Sequence, residues 1–268
     1  MQHSSDSNPP FLRRVRTSIT VVRSLARAIL GRSDQIRYEA RYGLMRRLAH
    51  SLGFELYNSN LVWQDDGVYR EQWARFPERT SEVKDRHFVL FEMARSVANL
   101  TGDTAECGVF AGAGSFLICA ATQKAGRVHH IFDSFEGLSA PTSEDTPDYS
   151  YTYRWKKHDL AVPQDRVQRN LAAFDHVAMY KGWIPDRFDA VRDSRFAFVH
   201  VDVDLEQPTR DSLEFFYPRL VPGGILLCDD YGSAACPGAK RAFDELIRDK
   251  PERTVVHLPT GQGFIVKR

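Results

Sequence analysis

"TAECGVFAGAGSF", residues 104–116, decides how the rest of the chain is read. Its first residues suit a short buried strand. Gly108, Gly112 and Gly114 then make a loop, and a helix is predicted to begin near Ser115. Glycines let a ligand approach the backbone, and a helix N-terminus presents N–H groups with no partner inside the helix. Glu106 puts a negative charge at the strand end, which suits an amine or a hydroxyl better than a phosphate. The spacing is not GxGxxG, because Leu117 stands where the third glycine would be. Strand, glycine loop and helix together predict the first unit of an α/β sheet.

Working outward, the alternation continues. "SEVKDRHFVLFEMARSVANL" (81–100) precedes the strand as a helix with an apolar stripe at Phe88, Leu90, Phe91, Ala94 and Val97. The strand "VHHIFD" (128–133) follows. The polar stretch 134–162 is too long for a plain connector and reads as a lid. Helix 163–174, strand 177–182, strand 196–204, helix 209–220, strand 223–230 and helix 238–249 come next. "TVVHL" and "GFIVKR" read as a terminal pair of strands. Strands that alternate with helices predict an α/β fold, a doubly wound, Rossmann-like parallel sheet with helices on both faces. Its domain is expected over 81–268, with residues 1–80 as a helical N-terminal extension for docking, lid or oligomerisation.

Two predicted strands end in acid. "FAFVHVDVDLEQPT" (196–209) closes on Asp202 and Asp204, and "GGILLCDDYG" (223–232) on Asp229 and Asp230. A lone carboxylate in an apolar interior costs several kcal/mol unless it is paired or metal-bound. In an open parallel sheet, ligands bind outside the carboxyl ends of the strands. Strands about 4.8 Å apart let acids at neighbouring tips share one ion. Carboxylates without Cys or His ligands suit a hard cation such as Mg²⁺, while the plainer reading makes some of them helix caps. His200, two residues before Asp202, is expected to be a satisfied core histidine. Asp133, at the second strand tip, is placed to accept hydrogen bonds from a ribose diol.

Composition narrows the class. A formal net charge of +1 over 268 residues argues against a nucleic-acid binder. The charge is uneven: residues 1–50 hold ten arginines against Asp6, Asp34 and Glu39, a net of +7, which leaves −6 on the other 218 residues. Cys107, Cys119, Cys228 and Cys236 lack CxxC spacing and read as reduced, buried thiols, which suits the cytoplasm. No stretch approaches 18 uncharged apolar residues. "FLRRVRTSITVVRSLARAIL" (11–30) is an Arg-rich amphipathic helix. Docking on its own domain or on a second subunit is the leading reading. Contact with an anionic membrane surface is the alternative, and an organelle transit peptide also fits the composition.

"AECGVFAGAGSF", "FDSFEGL", "KGWIPD", "HVDVDLEQPT" and "GGILLCDDYG", in that order, resemble the motifs of the TylF-type macrocin O-methyltransferase family over roughly residues 80–267. That family comprises class I S-adenosylmethionine-dependent methyltransferases acting on sugar hydroxyls with Mg²⁺. The resemblance implies a seven-stranded sheet, a glycine loop for the methionine end of the cofactor, Asp133 on the ribose, and a metal held by Asp202, Asp229 and Asp230. It implies as cofactor contacts Glu106, Gly108, Gly112, Gly114, Ser115, Asp133, Ser134 and Phe135, with Trp183 bordering the adenine or serving as an ordinary tryptophan. Asp202 would also act as general base, with Asp204 as its alternative. The expected partners are a sugar or glycoside acceptor and further copies of the chain. Where family members have Tyr after the DxDL stretch, this chain has Glu206 followed by Gln207 and Pro208. Two competing readings are a nucleotide-sugar glycosyltransferase, which would hold a diphosphate through the DxD strand tip, and a non-catalytic subunit that keeps the fold.

Overall fold

A computed structural model describes residues 21–55, 63, 66–79, 85–124, 126–147 and 153–268. The chain forms two compact units, 1–62 and 63–268. In the first, residues 21–30 form helix α1 and Asp34–Ser51 form α2, whose N-cap Ser33 accepts a hydrogen bond from the Ile36 N–H at 3.3 Å. Residues 11–20 of the expected basic helix lie outside the described residues.

The second unit opens with α3 (Gly67–Arg75) and α4 (Asp85–Ser96). Although α3 precedes Ser81, Tyr69 and Trp73 are buried in the same cluster as Phe116, Phe135 and Val167, so this segment packs into the sheet-bearing unit. The strands are β1 (Asp103–Cys107), β2 (His129–Asp133), β3 (Val177–Lys181), β4 (Phe196–Val201), β5 (Leu220–Cys228), β6 (Val256–His257) and β7 (Gly263–Val266). They make one sheet in the order β3-β2-β1-β4-β5-β7-β6. The pairs among β1 to β5 are parallel, but β7 runs antiparallel to both β5 and β6, so the sheet is mixed where the sequence suggested a parallel one. The cause is the short link before β7. Leu258 N–H bonds Gln262 O at 2.8 Å and Gly261 N–H bonds Leu258 O at 2.9 Å, a tight turn that cannot carry a parallel crossover.

Helices α5 (Ala113–Ala121), α6 (Gln164–Asn170), α7 (Glu206–Phe216) and α8 (Pro237–Ile247) complete the unit. β4 is buried at every position, as a strand covered on both faces should be. On one face Phe196, Val199 and Val201 meet Phe216 and Phe243 of α7 and α8; on the other, Phe198 meets Leu90, Ala94 and Ile118.

Several boundaries differ from those expected, and two of them shape the glycine loop and the β4 tip. β4 stops at Val201, so Asp202 and Asp204 lie beyond its end, with Asp204 in the left-handed region at φ 59°. α5 begins at Ala113, after a left-handed Gly112 at φ 88°. The stretch 134–162 is fastened in its described part. Asp145 accepts a hydrogen bond from the Glu206 N–H at the start of α7 (2.7 Å), Arg241 of α8 donates to the Glu144 carboxylate (2.8 Å), and Trp155 Nε1 donates to Ala235 O (3.1 Å).

Candidate active site

The carboxyl ends of β1, β2, β4 and β5 open onto one cavity of about 630 Å³. Its walls include Glu106, Gly108, Gly114, Asp133, Ser134, Trp183, Asp202, Asp204, Asp229 and Asp230. The structure thus brings the glycine loop and the two acidic tips around one space.

The three glycines have three different reasons to be glycine. A Cβ on Gly108 would stand 1.9 Å from the carbonyl oxygen of Asp202, so this residue lets the β1 loop touch the β4 tip. A Cβ on Gly114 would stand 2.1 Å from Glu106 Oε1, so its bareness makes room for that carboxylate. Gly112 supplies the left-handed turn into α5, and its missing Cβ would face Val167 and Leu171 of α6. Gly112 itself stays behind the cavity wall, which is made here by its neighbours Ala111, Ala113 and Gly114.

Asp133 accepts hydrogen bonds from the N–H of Val109 (2.8 Å) and of Phe135 (2.6 Å), bracing the glycine loop against the turn after β2. Burial raises its pKa, and those backbone bonds oppose the rise. Its side chain still faces the cavity beside Ser134, whose hydroxyl donates to Gly137 O at 2.8 Å. Phe135 buries its side chain with Val162 and Val167 rather than in the cavity wall. Its backbone N–H, spent on Asp133, is what matters locally. Ser115 is also fully buried behind the wall, where its hydroxyl donates to Glu106.

Behind this wall runs a chain of buried polar groups. Thr104 Oγ1 meets His129 Nδ1 (2.8 Å), His129 Nε2 meets Ser115 Oγ (3.0 Å), Ser115 meets Glu106, and Glu106 Oε1 meets His200 Nδ1 (2.8 Å). His200 Nε2 faces Asp229 Oδ1 at 3.4 Å, and Gln262 Nε2 donates to that same oxygen at 2.6 Å. The register places Glu106 directly beside His200 on β1 and β4, which closes the central link. Buried polar groups need such partners, because leaving one unpaired costs about 1–3 kcal/mol.

Charge is distributed unevenly among the acids. Burial alone would raise Asp229, but the bond and charge of His200, the Arg86 guanidinium and Gln262 hold it below the ordinary carboxylate value. Arg86 pairs with Asp229 and lies 3.7 Å from Asp230. Burial lowers the affinity of His200 for a proton, yet its bonds to Asp229 and Glu106 carry its pKa up to about 10. Asp202 is pushed well above the ordinary value by burial and by the charges of Asp229 and Asp230. Asp204 rises to about 7 through burial and Asp230, and Asp230 to about 6 through burial and Asp229. The cluster therefore holds more carboxylate than Arg86 and His200 offset. An oxygen-rich wall with surplus negative charge fits a hard divalent cation.

Among the described residues two sets of candidate ligand atoms lie within 4.8 Å of one another: His200, Asp202 and Asp229, and separately Asp204, Asp230 and Cys236. Asp230 thus falls outside the expected trio with Asp202 and Asp229. The reason is local: its Oδ2 accepts the Asp204 N–H at 3.1 Å, which turns it toward the second set. His200, taken from sequence as a satisfied core residue, is buried and satisfied, but by two carboxylates of the site itself. One signal was available, a polar residue one position before the end of each of two neighbouring strands. Arg86 and Gln262 gave none, since they meet Asp229 across 143 and 33 residues of chain.

The profile of the macrocin O-methyltransferase (TylF) family matches residues 85–251. The chain is 34% identical over 147 residues to the 8-demethyl-8-(2,3-dimethoxy-alpha-L-rhamnosyl)-tetracenomycin-C 4'-O-methyltransferase of Streptomyces olivaceus, covering 52% of this chain and 56% of the relative. It is 31% identical over 156 residues to the demethyldecarbamoylnovobiocin O-methyltransferase of Streptomyces niveus, covering 55% and 58%. The matched part thus spans little more than half the length of these relatives. Among solved structures, the O-methyltransferase NovP superposes with a TM-score of 0.59 at 24% identity, over 73% of this chain and 88% of that one, which shows a shared fold.

Proposed function

The chain belongs to the macrocin O-methyltransferase (TylF) family, and on that premise we propose that it transfers a methyl group from S-adenosylmethionine to a hydroxyl of a sugar or glycosylated natural product. The observation that carries this reading is the single cavity, which has a glycine loop and helix N-terminus on one rim and four aspartates on the other. The relatives are named for methylation of glycosylated antibiotics, and this supports the acceptor class. A glycosyltransferase reading leaves the loop of Gly108 and Gly114 without a role, and the family does not support it.

In the proposed reaction the acceptor oxygen bonds to the methyl carbon as the carbon–sulfur bond breaks, and the hydroxyl proton must leave. The glycine loop, Asp133, Ser134 and Trp183 line the end of the cavity assigned to the cofactor. Glu106, engaged by Ser115 and His200, sets the floor between the two ends. Asp202 and Asp229, with Asp230 beside them, would hold a divalent cation of the Mg²⁺ kind, which when bound lowers the pKa of a hydroxyl and orients it. Asp202 is assigned as proton acceptor, and Asp204 shares its wall. Arg86 keeps Asp229 ionised and aimed at the cavity. The test is transfer of labelled methyl from S-adenosylmethionine to a panel of glycosides, with Mg²⁺, with chelator, and with Mg²⁺ restored. Transfer in Mg²⁺ that chelator abolishes is expected. Full transfer in excess chelator would remove the cation from this reading, and failure to bind the cofactor by calorimetry would remove the reading itself.

A further inference from the structure

The α1–α2 hairpin of the first unit wears its polarity inside out. Val22, Leu25 and Ile29 on α1 are 64%, 46% and 70% exposed, and Met45, Leu48 and Leu52 on α2 are 51%, 62% and 65% exposed. Both trios follow i, i+3, i+7, so each is one continuous stripe on its helix. Leu30 and Phe54 extend the exposed apolar surface. Polar groups meanwhile stitch the two helices together. Arg37 Nη1 donates to Gly31 O (2.7 Å), Arg41 Nε to Ala28 O (3.1 Å) and Arg47 Nη1 to Ser24 Oγ (3.4 Å). Among the described residues of this unit, the buried apolar side chains are only Ala28 and Tyr42. A soluble helix pair normally does the reverse, and exposed apolar stripes of this kind mark a contact surface.

Charge identifies what covers it. Residues 1–62 hold ten arginines against Asp6, Asp34, Glu39 and Glu55, a net of +6. Arg23, Arg27 and Arg46 stand exposed on the same helices as the stripes. A groove on α2 lined by Gly43, Arg46, Arg47, His50, Phe54 and Glu55 sets two guanidiniums beside an exposed ring. A second copy docking by two-fold symmetry would press this cationic patch against itself. An anionic lipid surface takes both halves of the pattern, with aliphatic side chains at the acyl boundary and guanidiniums among the phosphates. No described helix is long and apolar enough to cross a membrane, so the contact is with the surface.

We propose that the α1–α2 hairpin docks this chain on anionic lipid surfaces through the paired stripes Val22–Leu25–Ile29 and Met45–Leu48–Leu52. The inference is independent of the active-site reading. Sedimentation of the full chain with vesicles of phosphatidylcholine alone, and of phosphatidylcholine mixed with phosphatidylglycerol, tests it. The bound fraction is expected to rise roughly tenfold or more on the anionic vesicles and to fall with added salt. Leu48→Asp with Leu52→Asp should abolish binding while the melting temperature holds. Should that pair unfold the hairpin, Leu48→Ser with Leu52→Ser, and separately Arg23→Gln with Arg27→Gln and Arg46→Gln, should each weaken binding by several-fold. Equal binding to both vesicle types, or none to either, overturns the proposal. So does a dimer in lipid-free light scattering that Leu48→Asp dissolves, which would assign the stripes to a second copy.

Discussion

The two rims of the cavity are built on opposite principles. At the β1–β2 rim each acid meets donors: Asp133 takes the N–H of Val109 and Phe135, and Glu106 takes Ser115 and His200. At the β4–β5 rim, Asp202, Asp204, Asp229 and Asp230 crowd around one guanidinium and one imidazole, with Gln262 donating to Asp229 and the Asp204 N–H to Asp230. Folding completes the first rim by itself. It leaves the second with carboxyls so close together that burial and one another's charge raise the proton affinity of Asp202, Asp204 and Asp230. The contrast separates acids that are paired with donors from acids that repel one another.

The strongest way to break the contrast is Asp229→Asn. Turnover is expected to fall about 10–100-fold if the acidic rim holds the proposed cation, while affinity for S-adenosylhomocysteine stays within about threefold. The melting temperature in chelator should also fall, because Asp229 is the acid of this rim held by His200, Arg86 and Gln262. Unchanged turnover would make the acidic rim inert. Gly108→Ala probes where the rims touch. Its Cβ would collide with the Asp202 carbonyl at 1.9 Å, so a loss of about 3 kcal/mol or more in denaturant titration is expected. Gly126→Ala is the control, at φ 78° with nothing within 4 Å, and should lose only about 1 kcal/mol. Equal losses at the two positions would mean that the close approach costs nothing.

Neutralising one acid on each rim sharpens the comparison further. Asp133→Asn turns an acceptor oxygen toward a donor as NH₂, and stability should drop by about 1–3 kcal/mol. Asp230→Asn in chelator should do the reverse at pH 8, raising the melting temperature by a few degrees. The sign follows from linkage. Asp230 titrates at about 6 in the folded chain against an ordinary 3.8, so the folded state binds the proton more tightly. Wild type therefore gains stability as pH falls through 6 toward 3.8, and the advantage of the variant should vanish over that window. An advantage that does not change between pH 8 and pH 4 would show that charge repulsion is not its source.

The sheet was legible because its signals are local: β-forming runs, helical periodicity and glycine punctuation each lie within a dozen residues. The antiparallel β7 was less so, since its direction depends on the tight turn between Leu258 and Gln262 rather than on its own residues. The acids at the strand tips were visible as an anomaly, but their division of labour was not. That Asp229 is held below the ordinary value while Asp202 and Asp230 are raised depends on His200 and on Arg86 and Gln262, and no spacing connects the last two to the acids. Phe135 and Gly112 show what a motif leaves open. A motif fixes where the backbone goes, and the packing decides the rest: Phe135 turns into the core, and a Cβ at Gly112 would meet Val167 and Leu171.

The bond from Gln262 to Asp229 also has a meaning in time. A ribosome makes Arg86 early, the aspartates of β4 and β5 long afterwards, and Gln262 another 33 residues after Asp229. Until that amide emerges, the nascent sheet carries its acidic edge without the donor that draws Asp229 into place. That bond is therefore among the last of this unit that the emerging chain can make. A chain cut short before Gln262 would lose β7 with it, the strand that joins β5 to β6, so the last residues made complete both the sheet and the bond to Asp229.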